Sequence, residues 1–126
     1  MQYICKIDKR KLGDYKDKIT TEKVVLTNER LKHIKERHPG DYENYSKFLI
    51  KVIKKPDYIL EDTKNIDTVI LLKRLKYKRK NIQLIMKLST GRDTRRNKNS
   101  ILTFWKVRNS TYLQLIRNKR ILYKKE

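Results

Sequence analysis

The stretch IQLIMKL at residues 82 to 88 alternates without a break: Ile82, Leu84, Met86 and Leu88 fall on one side of an extended chain, and Gln83, Ile85 and Lys87 on the other. That period makes a strand with one face for a core and one for polar chemistry. Working outward, Tyr58 to Leu60, Asp67 to Leu75 and Ser100 to Val107 read as three more strands. Two of the connections, KYKRKN (76 to 81) and STGRDTRRNK (89 to 98), are strongly basic. Beyond them, Tyr112 to Ile116 reads as a short helix or turn and Ile121 to Tyr123 as a final short strand.

Upstream the period is helical. Thr27 is a good N-cap for a helix from Asn28 to His38, stopped by Pro39 and Gly40. Asp41 caps a second helix, in which Tyr45, Phe48, Leu49, Val52 and Ile53 share one face, and Pro56 ends it. The expected fold is therefore α+β, with two N-terminal helices packed on one face of a roughly four-stranded antiparallel sheet. Residues 1–22 are weakly patterned apart from a short strand at YICKI, and read as an N-terminal extension to a single domain over 23–126.

The 126 residues include 34 Lys and Arg against 14 Asp and Glu, a net charge of +20. Residues 1 to 63 carry +4 of it and residues 64 to 126 carry +16, so polyanions are the natural partners and the second half is where they would bind. Eight Tyr, two Phe and one Trp, with abundant Ile, Leu and Val, argue for a folded chain rather than a charged disordered one. No apolar run approaches the roughly 20 residues of a membrane span. The first residues are too polar for a secretory signal, so the expectation is a protein of the cytoplasm, or one delivered into a target cell's cytoplasm, with no membrane partner. Cys5 is the single cysteine and reads as a small apolar strand residue. With two histidines and no metal-ligand spacing, neither a metal nor a cofactor is expected.

His38 shares the inward stripe of its helix with Leu31 and Ile34, whereas His33 projects to the opposite side and reads as solvated. In the last helical turn the dipole favours a protonated ring. His38 can equally be a structural residue that caps free carbonyls before Pro39. Lys87 is the one cation inside the cleanly alternating strand Ile82 to Leu88. Its ordinary explanation is a lysine that discourages edge-to-edge aggregation. In NSILTFW (99 to 105), plain alternation sets Ser100 on one face and Thr103 on the other with Trp105. Taken together, His38, Lys87, Ser100 and Thr103 suit RNA cleavage without a metal: the 2′-hydroxyl is an internal nucleophile, and the protein supplies proton transfer and stabilisation of charge on phosphorus. Arg108 is a further cation beside the site. Asp57 after Pro56 and Asp62 before Thr63 and Lys64 imitate a metal-dependent restriction-type nuclease, but they are only a few residues apart.

RHP at 37 to 39, PDYI at 56 to 59, the apolar strand ending in Lys73, MKL at 86 to 88 and NSILTFW occur in an order and spacing that resemble the phage-associated branch of the barnase, EndoU, colicin and RelE nuclease superfamily. The likeness runs from about Val24 to Tyr123. It implies helices before an antiparallel sheet, RNA cleavage without metal, and a role as a toxin or phage-encoded effector. It carries over His38, Lys87, Ser100 and Thr103 as catalytic positions and Lys73 as a phosphate contact, and it leaves the other proton-transfer role open between Lys87, Tyr112 and substrate geometry. RNA would cross the basic strands and loops of residues 73 to 98, which hold Lys73, Arg74, Arg92, Arg95 and Arg96, with Arg108 beyond. An inhibitory immunity or antitoxin protein is the implied protein partner. The competing reading is a basic RNA-binding protein without catalysis, in which the same cations hold phosphate and Tyr77 or Trp105 stacks on bases.

Overall fold

The computed structural model describes residues 1–76, 79–91 and 97–126. Seven strands form one sheet: β1 (Gln2–Lys6), β2 (Lys23–Leu26), β3 (Tyr58–Glu61), β4 (Thr68–Arg74), β5 (Asn81–Lys87), β6 (Asn99–Val107) and β7 (Ile121–Lys124), in the order β1-β2-β6-β5-β4-β3-β7. The expected four-stranded antiparallel sheet is thus corrected to a seven-stranded mixed one, because β2 runs parallel to β6 while every other pair is antiparallel. The strands read from residues 58 to 107 are its centre. β2 escaped detection because three of its four residues, Val24, Val25 and Leu26, are buried, which erases the alternation that marks a half-exposed strand.

The helices are corrected too. Alongside α1 (Asn28–Arg37) lie α2 (Asp41–Tyr45), α3 (Leu49–Lys54) and α4 (Asn109–Asn118). Thr27 caps α1 by accepting from the Arg30 N–H at 3.1 Å. Gly40, at φ 84°, reverses the chain in a left-handed conformation that its missing Cβ permits. The single second helix expected from Asp41 is broken by a 3-10 turn at Ser46–Phe48, yet Tyr45, Leu49, Val52 and Ile53 still bury one face. α4 packs on the opposite face of the sheet, where Tyr112 meets Leu60, Ile70 and Leu72. Helical segments therefore cover both faces.

Register decides which face each side chain uses. Val69, Leu71, Ile82, Leu84, Met86, Ile101 and Phe104 point into the main core with α1 and α3. Residues 1–22 belong to that core as well: β1 pairs with β2, Ile7 and Leu12 are fully buried, and the turn at Gly13 lies against Leu122 of β7. Cys5 is buried in β1, and burial pushes its thiol up despite the nearby Lys54 ammonium, so it behaves as a small apolar residue.

β2 pairs with β6 only at Val24 with Asn99 and Val25 with Ser100. Farther along, α1 and α2 lie against β6, and the buried Asp41 carboxylate accepts the Lys106 N–H at 3.2 Å. Asp41 is the first residue of α2 rather than its cap, which is Gly40. Asp41→Ala leaves a strand donor unpaired and should lower stability to urea by about 1–3 kcal/mol. Asp41→Asn keeps a carbonyl acceptor and should lower it much less.

Candidate active site

The face of β5 and β6 beside α4 is built in rows. Thr68, Lys87 and Ser100 form one, then Ile70, Ile85 and Thr103, then Leu72, Gln83 and Trp105, then Arg74, Asn81 and Val107. A β-bulge makes these rows possible. The pairing shifts between Thr103 opposite Ile85 and Ile101 opposite Met86, so Leu102 is an extra residue in β6. Plain alternation would separate Ser100 from Thr103; the bulge puts both on the face of Lys87 and Trp105.

At one end, Lys87 and Ser100 are direct cross-strand partners. The Lys87 ammonium donates to the Ile66 carbonyl at 2.7 Å, which fixes it toward the turn between β3 and β4 and leaves two N–H donors for a ligand. Asp67, next to Ile66, holds that turn at φ 54°. Ser100 is buried, while Lys87 and Thr103 are half-buried.

At the other end, His38 closes α1, its N–H donating to the Ile34 carbonyl at 2.9 Å. Its ring stacks on Trp105 with centroids 4.6 Å apart and planes 5° from parallel. α1 runs beside β6, so its C-terminal end reaches the row of Gln83 and Trp105. Four residues along β5 separate that row from Lys87, about 13 Å between Cα atoms, with Thr103 between them. The structure thus pairs Lys87 with Ser100 and sets Thr103 and His38 at successive steps along one face. It does not bring all four into mutual contact.

Among the other cations, Lys73 points to the core side and is buried, 3.5 Å from the Asp57 carboxylate. Arg74 sits at the exposed end of β4 and Arg108 is exposed just before α4. Arg92, Arg95, Arg96 and Tyr77 lie outside the described residues. Asp57 and Asp62 flank opposite ends of β3, roughly 16 Å apart along extended chain. Asp57 accepts the Arg74 N–H at 2.7 Å, and Asp62 accepts from the Lys64 N–H and the Asn65 amide. They do not converge as a restriction-type centre requires, and no group of three His, Cys, Asp or Glu side chains placed to hold a metal occurs among the described residues.

Tyr112 is buried, and its phenol is pushed up to about 12, first by that burial and then by the Asp57 carboxylate. It stays protonated at neutral pH and cannot serve there as a base.

Several contributors were not legible in the sequence. Asn99 is fully buried and ties the start of β6 to the N-terminal segment through the Thr21 and Lys23 carbonyls and to the end of β5 through the Ser89 N–H. An asparagine that opens a strand is the only hint the sequence holds. The stacking of His38 on Trp105 has no local signal, since the two are 67 positions apart.

Trp105 is the sole tryptophan. His38→Ala removes the ring that covers it and should shift its emission to longer wavelength while far-ultraviolet circular dichroism stays unchanged. For Tyr112, the folded chain holds the phenolic proton more tightly than the unfolded one. Its stabilisation is complete below about pH 10 and is lost as pH rises toward about 12. Urea midpoints should fall more steeply across that window in the native chain than in Tyr112→Phe.

A family model described as phage-Barnase-EndoU-ColicinE5/D-RelE like nuclease2 matches residues 4–124, from within β1 to the end of β7. No curated protein and no solved structure matches the chain. No helix among the described residues is long and apolar enough to cross a membrane.

Proposed function

The chain belongs to the phage-Barnase-EndoU-ColicinE5/D-RelE like nuclease2 family, and we propose that it is a metal-independent endoribonuclease that cleaves RNA by attack of the 2′-hydroxyl. The observation that carries this reading is the bulge in β6, which collects Lys87, Ser100 and Thr103 on one sheet face bordered by His38. In the reaction the 2′-oxygen bonds to phosphorus, the bond to the 5′-oxygen breaks, and a 2′,3′-cyclic phosphate remains. One proton leaves the 2′-hydroxyl and one reaches the departing 5′-oxygen.

His38 carries one of these transfers, the usual task of an imidazole near neutral pH. The Lys87 ammonium stabilises charge on the phosphorane and is the candidate for the other transfer, while the Ser100 and Thr103 hydroxyls hydrogen-bond the phosphate oxygens. Arg74 and Arg108, with Arg92, Arg95 and Arg96 of the basic loop, attract and hold the RNA backbone. Lys73 acts by fixing Asp57 and the end of β4. The family's phage association supports a role as a toxin or effector acting in the cytoplasm, restrained by an immunity or antitoxin protein.

Incubation with total RNA in EDTA should give fragments ending in cyclic phosphate, and RNA methylated at the 2′-oxygen and DNA should remain intact. His38→Ala should slow cleavage by about 10²–10⁴-fold, the contribution of one general acid or base. Tight binding with no cleavage by the native chain would instead establish the non-catalytic RNA-binding reading.

A further inference from the structure

Arg74 occupies the row beyond Gln83 and Trp105, at the end of β4. Its backbone N–H donates to Asp57, its Nε to the Asn81 side-chain oxygen at 3.1 Å and its Nη2 to that of Asn109 at 2.6 Å. The guanidinium also lies 4.7 Å from the centre of the Tyr112 ring. Among the described residues, every partner of the guanidinium is neutral. Its orientation is therefore fixed while its charge is left uncompensated, the state of a preformed anion receptor. Asp57, a carboxylate lining the same cavities, is engaged by the Arg74 backbone and by Lys73 at 3.5 Å and Lys125 at 3.9 Å.

Two adjoining cavities share Arg74, Asp57 and Lys125. One, of about 650 Å³, adds Lys76 and Arg79, so four cations face a single carboxylate. The other, of about 270 Å³, adds Tyr58, Tyr112, Leu113 and Ile116, with Glu126 at its edge. Leu113 is 46% exposed, an apolar surface open to a ligand. A cationic compartment that shares Arg74, Asp57 and Lys125 with one walled mainly by aromatic and aliphatic side chains complements a molecule with a phosphate at one end and a flat, weakly polar ring at the other.

We propose that these cavities form a nucleotide subsite, with the phosphate on Arg74, Lys76 and Lys125 and the base against Leu113 and Ile116. The subsite lies on the sheet face of Trp105, on which His38 stacks, about 7 Å along the strands and two strands, about 10 Å, across from it. Resting on the ribonuclease reading, the nucleotide is one near the cleaved bond of an RNA chain. A free mononucleotide offers the same chemistry.

Binding can be measured without cleavage. Adenosine 5′-monophosphate, adenosine and inorganic phosphate are each titrated into the full chain while the Arg74 Nε–H resonance is followed. The monophosphate should move that resonance and bind at least tenfold more tightly than either fragment. Arg74→Lys keeps the charge but loses the planar fork, and should weaken binding about tenfold, as expected for one charge-assisted hydrogen bond. Lys76→Met, at an exposed position, should weaken it without touching the fold, and Leu113→Ala should weaken the monophosphate but not phosphate. A 2′-O-methyl oligonucleotide that displaces the monophosphate identifies the RNA chain as the source, whereas no displacement assigns the subsite to a free nucleotide. Binding with no RNA cleavage would leave the subsite standing and overturn the ribonuclease. Equal affinity for phosphate and monophosphate, or an acidic protein binding through Arg74 where the monophosphate does not, would overturn the subsite.

Discussion

The additional residue in β6 sets the chemistry of the whole face. Without the bulge at Leu102, strict alternation would leave either Ile101 or Thr103 on the wrong side of the sheet. With it, Ile101 and Phe104 both fill the main core, while Ser100, Thr103 and Trp105 share the face of Lys87. Core packing and polar site are satisfied by the same local irregularity. The burial of Ile101 and Phe104 holds the bulge in register, because a slip of one residue would expose both.

A second constraint follows from how β6 finds partners on its outer side. The parallel strand β2 covers only its beginning, and helices take over from there. Asp41 supplies an acceptor that a neighbouring strand would otherwise provide. Ending the strand early leaves room for the C-terminal end of α1 beside Trp105, so the imidazole reaches a face that α1 itself does not cover. The position of His38 is thus a product of sheet topology as much as of helix phase.

The central strands were legible because β5 alternates and β4 is continuously apolar, and Thr27 marked the start of α1 correctly. What stayed hidden depends on contacts distant in sequence. β1 and β2 are short, β2 is buried on three of four residues, and the segment between them offers charges rather than a period although Ile7 and Leu12 anchor it. The face of α4 was illegible because its partner strands present apolar residues on both sides, so pattern alone cannot say which side a helix covers. At the site, residue types and strand positions could be read, but the bulge that unites Ser100 with Thr103 could not. An insertion of one residue in a nine-residue strand leaves no mark on composition.

The order of strands also has a temporal meaning. β2 meets β6 across 75 positions, and β3 meets β7 across 66, at the pair of Tyr58 and Lys124. Loop closure over such distances is slow, and it cannot begin until the distal strand exists. During synthesis, β3 lacks its outer neighbour and Gly13 lacks Leu122 beside it until residues 121 to 124 have been made. A chain still being synthesised therefore holds its polar face on an unfinished sheet. The sheet that carries Lys87, Ser100 and Thr103 is closed at its β3 edge only once that last strand has docked.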